Sequence, residues 1–420
     1  MPCDVPANAL GGPADVVRPL PGGLVRRTAR PSDLEQIGDL LVDRGEPVDR
    51  LDHRLVVEDP QLGWQSCAVV VDGDRVVSTA LLLDETLRLA DVALPAGQVE
   101  LVATHRAYEG RGLVRALMGW AHERSEARGH LLQAMIGIPY FYRLFGYEYA
   151  IDIPQAHPLA EPMADVGGDL AATLRRAELR DIPALTALQD DAQCVADVAM
   201  PHPPARWRWL LQHDASTTWV LERDGCAVAS ARTGPPEDSV LVAEAAAFTA
   251  ADADELLRAL LREQAAGLRI VHRPGTTTGE AWGARLAAAP TQAQQYYLRL
   301  PAPERVLDAL RPVLHRRLAD AGIDRVGKDV VLSTFGRHYR MPVTADGLGP
   351  VVVGGPLQSP ASSGGAGVAP DYLGALLFGP RGMQGLAQIR ADIYPGPDAE
   401  LFCTLFPPLT ADLSTYYLPW

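Results

Sequence analysis

The chain has 420 residues, 47% hydrophobic and 21% charged, which is the balance of a folded protein and excludes a disordered one. This length exceeds one ordinary core and predicts two or three domains. The net charge of −14, without a block of basic residues, argues against nucleic acid or an anionic membrane as partner. It mildly favours a cationic partner, although acidity also serves solubility.

The first segment, residues 1–23, is predicted to be a flexible leader. It has neither the basic start nor the apolar run of a signal peptide. The five cysteines are odd in number and far apart, which indicates neither a disulfide framework nor a metal site. No apolar run approaches the roughly 18 residues that span a bilayer. We therefore expect a cytoplasmic protein that does not enter membranes.

The chain then repeats itself. Residues with the apolar period of a helix recur at the same spacing: Arg27, Ala29, Asp33, Leu34, Ile37 and Leu40, then Arg175, Ala177, Asp181, Ile182, Leu185 and Leu188. A strand, an Asp-Gly turn and a second strand follow each set, at residues 69–78 and 220–230. The letters RAL at 115–117 recur at 258–260. These blocks predict two copies of one α/β unit, at 24–155 and 156–300.

In the first copy a strand at residues 97–104 precedes two glycines, Gly110 and Gly112, and a helix that begins at Leu113. The first N–H groups of a helix lack partners within it and carry the positive end of its dipole, and glycine lets a phosphate approach them. The pattern therefore predicts an anion site. A tight turn without a ligand would use the same glycines, so the glycines alone do not decide.

The second copy differs at the same point. Alignment on RAL puts Asp252, Ala253 and Glu255 at the positions of Glu109, Gly110 and Gly112. Carboxylates repel a phosphate and satisfy the helix dipole by themselves. The sequence therefore predicts that the fold is repeated and that the anion site is not.

A third region begins at Pro301. It opens with an amphipathic helix at residues 302–320, continues with short strands and includes a Gly-, Ser- and Pro-rich stretch, residues 354–370, predicted to be a flexible loop. The apolar segment 372–379 is predicted to be core, with the lining of a ligand cavity as the alternative.

The segments VATHRAYEGRGLVRALM (102–118) and YFYRLFGYEYA (140–150) resemble the GNAT N-acetyltransferase superfamily, whose signature Q/R-x-x-G-x-G/A opens the central helix. The chain beyond residue 24 resembles the enhanced intracellular survival (Eis) family of acetyltransferases. Glu109 and Val114 depart from the signature, and a carboxylate beside a pyrophosphate is unfavourable unless it turns to solvent.

The resemblance implies a fold of class α/β (α+β) with three domains. They are a catalytic GNAT domain at 24–155, a degenerate GNAT domain at 156–300, and a domain similar to sterol carrier proteins at 301–420, whose C-terminus returns to the first domain. The family also implies a homo-oligomer, with a hexamer as one form.

The resemblance also implies site residues. Acetyl-CoA contacts would fall on Val102, Ala103, Thr104, Gly110, Arg111, Gly112, Leu113, Val114, Arg115, Gly137 and Ile138. Tyr142 would protonate the departing thiolate, although a tyrosine in this aromatic cluster is also a core residue. The base would be the terminal carboxylate of Trp420, with Glu100 as the alternative, and alternation along the strand does not settle which face Glu100 occupies.

These observations predict an acetyl-CoA-dependent N-acetyltransferase that acts, by direct attack on the thioester, on a primary amine of a cationic small molecule such as an aminoglycoside, or on a lysine side chain. One alternative is an acyltransferase that uses a longer acyl-CoA on a biosynthetic amine. Another is a protein that binds a lipid or other apolar ligand, with the GNAT copies as scaffold. The scattered histidines predict no metal site.

Overall fold

The computed structural model describes residues 17–160, 170–264, 267–289 and 294–413. The fold is mixed α/β, as the sequence predicts. It separates into two compact units. The first contains the chain up to Glu85 and the segment Pro95–Met135, and the second contains Thr86–Leu94 and the chain from Ile136 onward. Within the described ranges, no helix has the length and apolar character needed to cross a bilayer.

The first unit is built on six strands that are neighbours in the order β1 to β6, apart from the ends of β4 and β5 within Thr86–Leu94. The strands are β1 (Arg18–Pro19), β2 (Val25–Thr28), β3 (Cys67–Asp72), β4 (Arg75–Leu89), β5 (Val92–Thr104) and β6 (Leu132–Met135). The helices are α1 (Leu34–Arg44), α2 (Asp49–Val57) and α3 (Leu113–Ala127). Strand β1 lies within the predicted leader and pairs with β2, so this part of the leader is ordered, contrary to the prediction.

Two features of the sequence shape this unit. Strand β3 is a near-continuous run of apolar residues because both of its faces are buried, and β4 is buried along most of its length although it also carries polar residues. Helix α1 buries Ile37, Leu40 and Leu41 on one face, at the spacing that the sequence repeat predicts. Strands β5 and β6 are parallel, as expected for two strands joined by the crossover helix α3.

The second unit contains three groups of strands. The first of the groups is a six-stranded sheet in the order β8 (Ala156–Pro158), β14 (Gly267–Val271), β13 (Ser239–Ala247), β12 (Cys226–Thr233), β11 (Thr217–Arg223) and β9 (Thr173–Arg176). Next comes the pair β7 (Glu148–Asp152) and β15 (Gln295–Arg299). The third comprises β16 (Asp329–Ser333), β17 (His338–Thr344), β18 (Gly347–Leu348), β19 (Val352–Gly354) and β20 (Ala366–Gly367).

Two short strands and the helices complete the second unit. Strand β10 (Val198–Ala199) pairs with β21 (Ala411–Asp412) and with the end of β4. The helices are α4 (Ile182–Gln193), α5 (Pro204–Gln212), α6 (Ala250–Glu263), α7 (Thr277–Trp282), α8 (Pro303–Asp320), α9 (Leu373–Phe378), α10 (Gly382–Ile389) and α11 (Ala399–Leu405).

The internal repeat is confirmed in atomic detail. Arg27 makes two hydrogen bonds to Asp33, at 2.6 and 2.9 Å, and Arg175 makes two to Asp181, at 2.7 and 2.8 Å. Each aspartate also accepts a backbone N–H three residues earlier, at 2.8 Å. The hairpins β3–β4 and β11–β12 each carry a bulge. In both copies the strands before and after the crossover helix are parallel.

The structure differs from the predicted boundaries in the pairing of one strand. Strand β15 falls inside the predicted second copy, yet it pairs antiparallel with β7, which belongs to the predicted first copy. Strand β8, at the first residues of the predicted second copy, pairs with β14 of the same copy. Such partners are distant in sequence, so local patterns do not reveal them.

In the third region α8 confirms the predicted amphipathic helix, with Val306, Leu310 and Leu314 buried. The predicted flexible loop 354–370 is wrong in part, because it contains β20, which pairs with β16. Its glycines permit close packing, since a Cβ on Gly365 would lie 2.8 Å from the carbonyl oxygen of Val331. Helix α9, from the segment 372–379, buries four of its residues and is core.

Candidate active site

The glycine turn of the first unit begins with an irregular strand. Strand β5 pairs with β6 from Ala96 to Gln98 and continues to Thr104. Within this continuation Leu101 has a φ of +48°, a conformation that a leucine rarely adopts and that functional sites often hold. The Ser78 hydroxyl donates to the Ala103 carbonyl at 2.9 Å and also contacts the Thr104 hydroxyl, which fixes the end of the strand.

The connection from β5 leads into an open helix start. Gly110 and Gly112 have φ values of +75° and +77°, and Gly112 is the N-cap of α3. No side chain caps this helix within the described residues, and its first turn holds no acidic residue. A Cβ on either glycine would meet no atom within 4 Å. The first-turn N–H groups therefore face open space with the positive end of the dipole, as an anion site requires.

Side chains around the turn are tied to one another. The Arg111 guanidinium lies 4.6 Å from the centre of the Tyr108 ring and donates to the Ala107 carbonyl at 3.2 Å. The Tyr108 hydroxyl donates to Asp72 at 2.6 Å. Of the remaining predicted cofactor residues at the helix start, Leu113 is buried, Val114 is half-buried and Arg115 is exposed.

Glu109, one of the two residues that depart from the GNAT signature, has a charged partner. Glu109 accepts a hydrogen bond from Arg44, the last residue of α1, at 2.6 Å. The pair is 65 residues apart in sequence, and no local pattern predicts it.

The helix start of the second copy is closed, and here the sequence alignment needs correction. Helix α6 has its N-cap at Thr249, whose side chain accepts from the N–H of Asp252 at 3.1 Å, so RAL lies mid-helix in α6 and in the first turn of α3. Arg223 pairs with Asp252 at 2.6 Å and with Glu255 at 2.5 Å. Capping by Thr249 and the pairing of Arg223 with two carboxylates therefore close the helix start of α6 within the described residues.

Of the two candidate bases, the structure describes one. Glu100 on β5 is buried, and the Gln98 amide donates to its carboxylate at 2.5 Å. The amide orientation follows from the carboxylate, which accepts and cannot donate when ionised. The Gln98 carbonyl oxygen is buried and has no hydrogen-bond partner among the described residues. Trp420 lies outside the described residues.

The remaining predicted residues lie in the second unit. Tyr142, in a short 3₁₀ turn over Phe141–Phe145, is 6% exposed. A Cβ on Gly137 would lie 2.3 Å from the Tyr142 ring, so only glycine fits against this face. Ile138, one residue further on, is 63% exposed. The structure thus brings Gly137 and Tyr142 into contact and leaves the Ile138 side chain in the open.

A residue that the sequence analysis missed supports this segment. The hydroxyl of Tyr297 on β15 accepts from the Tyr140 N–H at 2.7 Å and donates to the Ile138 carbonyl at 3.3 Å. The Tyr297 and Tyr142 rings lie edge to face, 6.1 Å apart. Burial, aided by a hydrogen bond with Tyr149, raises the pKa of Tyr297, so its hydroxyl remains protonated. The adjacent tyrosines at 296 and 297 are its only signal in the sequence.

A buried pair of titratable groups lies elsewhere in the first unit. The Cys67 thiol is 3.4 Å from Nε2 of His53. Burial raises the pKa of Cys67 to about 12 and lowers that of His53 to about 4, so both are neutral at pH 7. A neutral thiol is a poor nucleophile, and this pair is therefore structural. Among the residues that the structure describes, no group of three His, Cys, Asp or Glu side chains is arranged to hold a metal ion.

A comparison with protein families identifies one segment of the chain. Residues 27–150 match the family of the acetyltransferase (GNAT) domain. No curated protein sequence matches the chain. The match makes the protein an acyltransferase, as the sequence predicts, with coenzyme A as the acyl carrier that GNAT domains use.

Solved structures resemble the chain over nearly its whole length. A GCN5-related N-acetyltransferase from Kribbella flavida is 18% identical, with a TM-score of 0.65 over 94% of this chain and 100% of its own. One from Anabaena variabilis ATCC 29413 is 13% identical, with a TM-score of 0.67 over 93% and 99%. Eis1 from Mycobacterium abscessus is 16% identical, with a TM-score of 0.59 over 94% and 100%. At these identities the likeness is one of fold.

Proposed function

We propose that this protein is an acetyl-CoA-dependent N-acetyltransferase whose acceptor is a primary amine. One observation carries the proposal: the start of α3 is uncapped, free of acidic residues in its first turn and opened by two left-handed glycines, inside the segment that matches the GNAT domain. Those N–H groups would bind the diphosphate of the cofactor. Residues 102–104 of β5 would contact the pantetheine arm through their backbone.

The acceptor that we propose is an amine of a cationic small molecule, such as an aminoglycoside, or a lysine side chain. The net charge of −14 favours a cationic substrate. The carboxylate of Glu100 and the buried Gln98 carbonyl oxygen, which has no partner among the described residues, are acceptors that would favour an ammonium group. Membership of the Eis family, a sterol-carrier-like third domain, a cytoplasmic location and a homo-oligomer, with a hexamer as one form, are part of the same proposal.

The reaction would proceed by direct attack. A base takes one proton from the ammonium, and the free amine nitrogen bonds to the thioester carbonyl carbon. The C–S bond then breaks to release the thiolate, and the nitrogen loses its second proton to solvent, which balances the proton that the sulfur gains. We propose Tyr142 as the group that protonates the sulfur. For the base, the terminal carboxylate of Trp420 and the side chain of Glu100 are the two candidates, and the burial of Glu100 beside Gln98 supports the second.

Turnover and binding together test this proposal. The purified protein is incubated with acetyl-CoA and a panel that contains aminoglycosides, polyamines and lysine peptides, and thiol release is followed with a chromogenic disulfide. Binding of CoA is measured separately by calorimetry. Saturable thiol release with an amine supports the proposal, whereas absence of both turnover and CoA binding refutes it.

One observation favours a second activity, the binding of an apolar ligand. A cavity of about 360 Å³ in the second unit has a largely apolar lining that includes Pro154, Val195, Phe378, Pro380 and Leu409. This volume suits a small ligand. Native mass spectrometry of the purified protein distinguishes the two activities, because it detects either bound CoA or a bound apolar molecule by mass.

A further inference from the structure

An ion pair beside the glycine turn has no evident role in stability. Arg44 and Glu109 are 2.6 Å apart, and their side chains are 26% and 54% exposed. Exposed pairs of this kind contribute little to folding, because water screens the attraction and two long side chains lose freedom. Their position is more informative, because Glu109 directly precedes Gly110, at the entrance to the open start of α3.

The charge of Glu109 is the obstacle to an anion at this point. A carboxylate next to a diphosphate repels it, and the open N–H groups of α3 provide only about half a charge in compensation. Asp72, a second acidic group near the turn, accepts a hydrogen bond from the Tyr108 hydroxyl at 2.6 Å. Arg44 cancels the charge of Glu109, and as the last residue of α1 it lies where the helix dipole favours a cation.

We propose that Arg44 is a positioning residue of the coenzyme A site. It holds the Glu109 carboxylate towards the end of α1 and neutralises it, so that a chain with glutamate at this position still binds an acyl-CoA diphosphate. The inference rests on the proposed function, since it assumes that the start of α3 binds coenzyme A. It assigns Arg44 to affinity for the cofactor and not to the chemical step.

The experiment compares four variants with the wild type. The dissociation constant for CoA and the KM for acetyl-CoA are measured for Arg44→Ala, Arg44→Lys, Glu109→Gln and the double variant Arg44→Ala/Glu109→Gln. The matched control is Arg54→Ala, which removes a partly exposed arginine of α2 that pairs with Glu35 of α1 at 2.8 Å.

We expect Arg44→Ala to raise both constants about five- to tenfold at low ionic strength, the effect of one charge several ångströms from a diphosphate in water, with kcat unchanged. The loss shrinks in 0.5 M salt because the charges are screened. Glu109→Gln binds at least as tightly as the wild type. The double variant and Arg44→Lys bind nearly as tightly as the wild type, and Arg54→Ala changes nothing.

Two results would overturn the inference. One is an Arg44→Ala protein that binds CoA as tightly as the wild type. The other is a loss in Arg44→Ala that Glu109→Gln does not restore, since Arg44 would then act on the cofactor or the fold directly. A wild-type protein that fails to bind CoA contradicts the proposed function instead, and thermal unfolding of every variant shows whether its fold is intact.

Discussion

The contact between Gly137 and Tyr142 supplies a sharp test of the site. In Gly137→Ala the new Cβ would lie 2.3 Å from one ring carbon of Tyr142, 2.7 Å from the next and 3.3 Å from a third. Ordinary contact begins near 3.4 Å, so the ring has to move by about 1 Å. It is held by Tyr147 and Tyr297, with ring centres 6.4 and 6.1 Å away, and overpacking of this kind costs about 1–3 kcal/mol of unfolding free energy.

The displacement should impair catalysis more than folding. If Tyr142 protonates the thiolate, a shift of about 1 Å lowers kcat by roughly 10- to 100-fold and leaves the KM for acetyl-CoA nearly unchanged. The double variant Gly137→Ala/Tyr142→Phe should then be no slower than Tyr142→Phe alone, since both changes remove the same proton transfer.

The measurements are steady-state kinetics and chemical denaturation. The matched control is Gly119→Ala within α3, where a Cβ meets no atom within 4 Å. Alanine in a helix interior should stabilise the fold by about 0.5–1 kcal/mol and leave kcat unchanged. A Gly137→Ala enzyme with wild-type kcat and stability would refute the contact. A loss in the double variant well beyond that in Tyr142→Phe would refute the role of Tyr142.

Three further predictions concern buried polar groups. Gln98→Leu removes the amide that stabilises ionised Glu100, so the acid limb of the kcat profile should move to higher pH; wild-type kcat in Glu100→Gln would exclude this base. The hydrogen bond from Arg175 lowers the pKa of Asp181 in the folded protein. The ionised Asp181 carboxylate therefore stabilises the fold fully above about pH 4, the pKa of an unfolded aspartate, and this stabilisation is lost as the pH falls further. Asp181→Asn should lower the free energy of unfolding at pH 7 by about 2–3 kcal/mol in urea denaturation, and unfolding should then depend less on pH below about pH 4. A variant whose stability falls in acid as steeply as that of the wild type would contradict the role of Asp181. The Cys67 thiol, with its pKa raised by burial to about 12, should react with a thiol reagent at pH 8 only after unfolding, in contrast to the exposed cysteines.

Local patterns in the sequence predicted the features that depend on short spacing. Arg27 and Asp33 recur six residues apart as Arg175 and Asp181, and this spacing predicted the repeat, whereas the hydrogen bonds within each pair are seen only in the structure. The left-handed turn at Gly110 and Gly112 is equally local, because only glycine takes such φ values without strain. Helix α8 follows from its apolar period.

Features that depend on distant partners were not predictable in this way. The ion pair of Arg44 with Glu109 joins two elements that only the tertiary fold brings together. Strand β20 pairs through a segment whose composition is typical of loops, since its glycines serve close packing. The RAL alignment failed because helix α6 begins well before the matching letters, at the Thr249 cap. In the first two of these cases the observed structure depends on contacts between residues that are distant in sequence, which local patterns do not contain.

The pairing of β7 with β15 has a consequence for biosynthesis. The side chain of Gln295 on β15 donates to Asp152 on β7, and these residues are 143 positions apart. At about 5–20 residues per second, a ribosome takes roughly 7–30 s to add the intervening chain. During that interval β7 has emerged and its partner does not yet exist, so its edge is open to strands of neighbouring nascent chains. We expect newly made protein to depend on chaperones during this delay and soluble yield to fall when expression is fast.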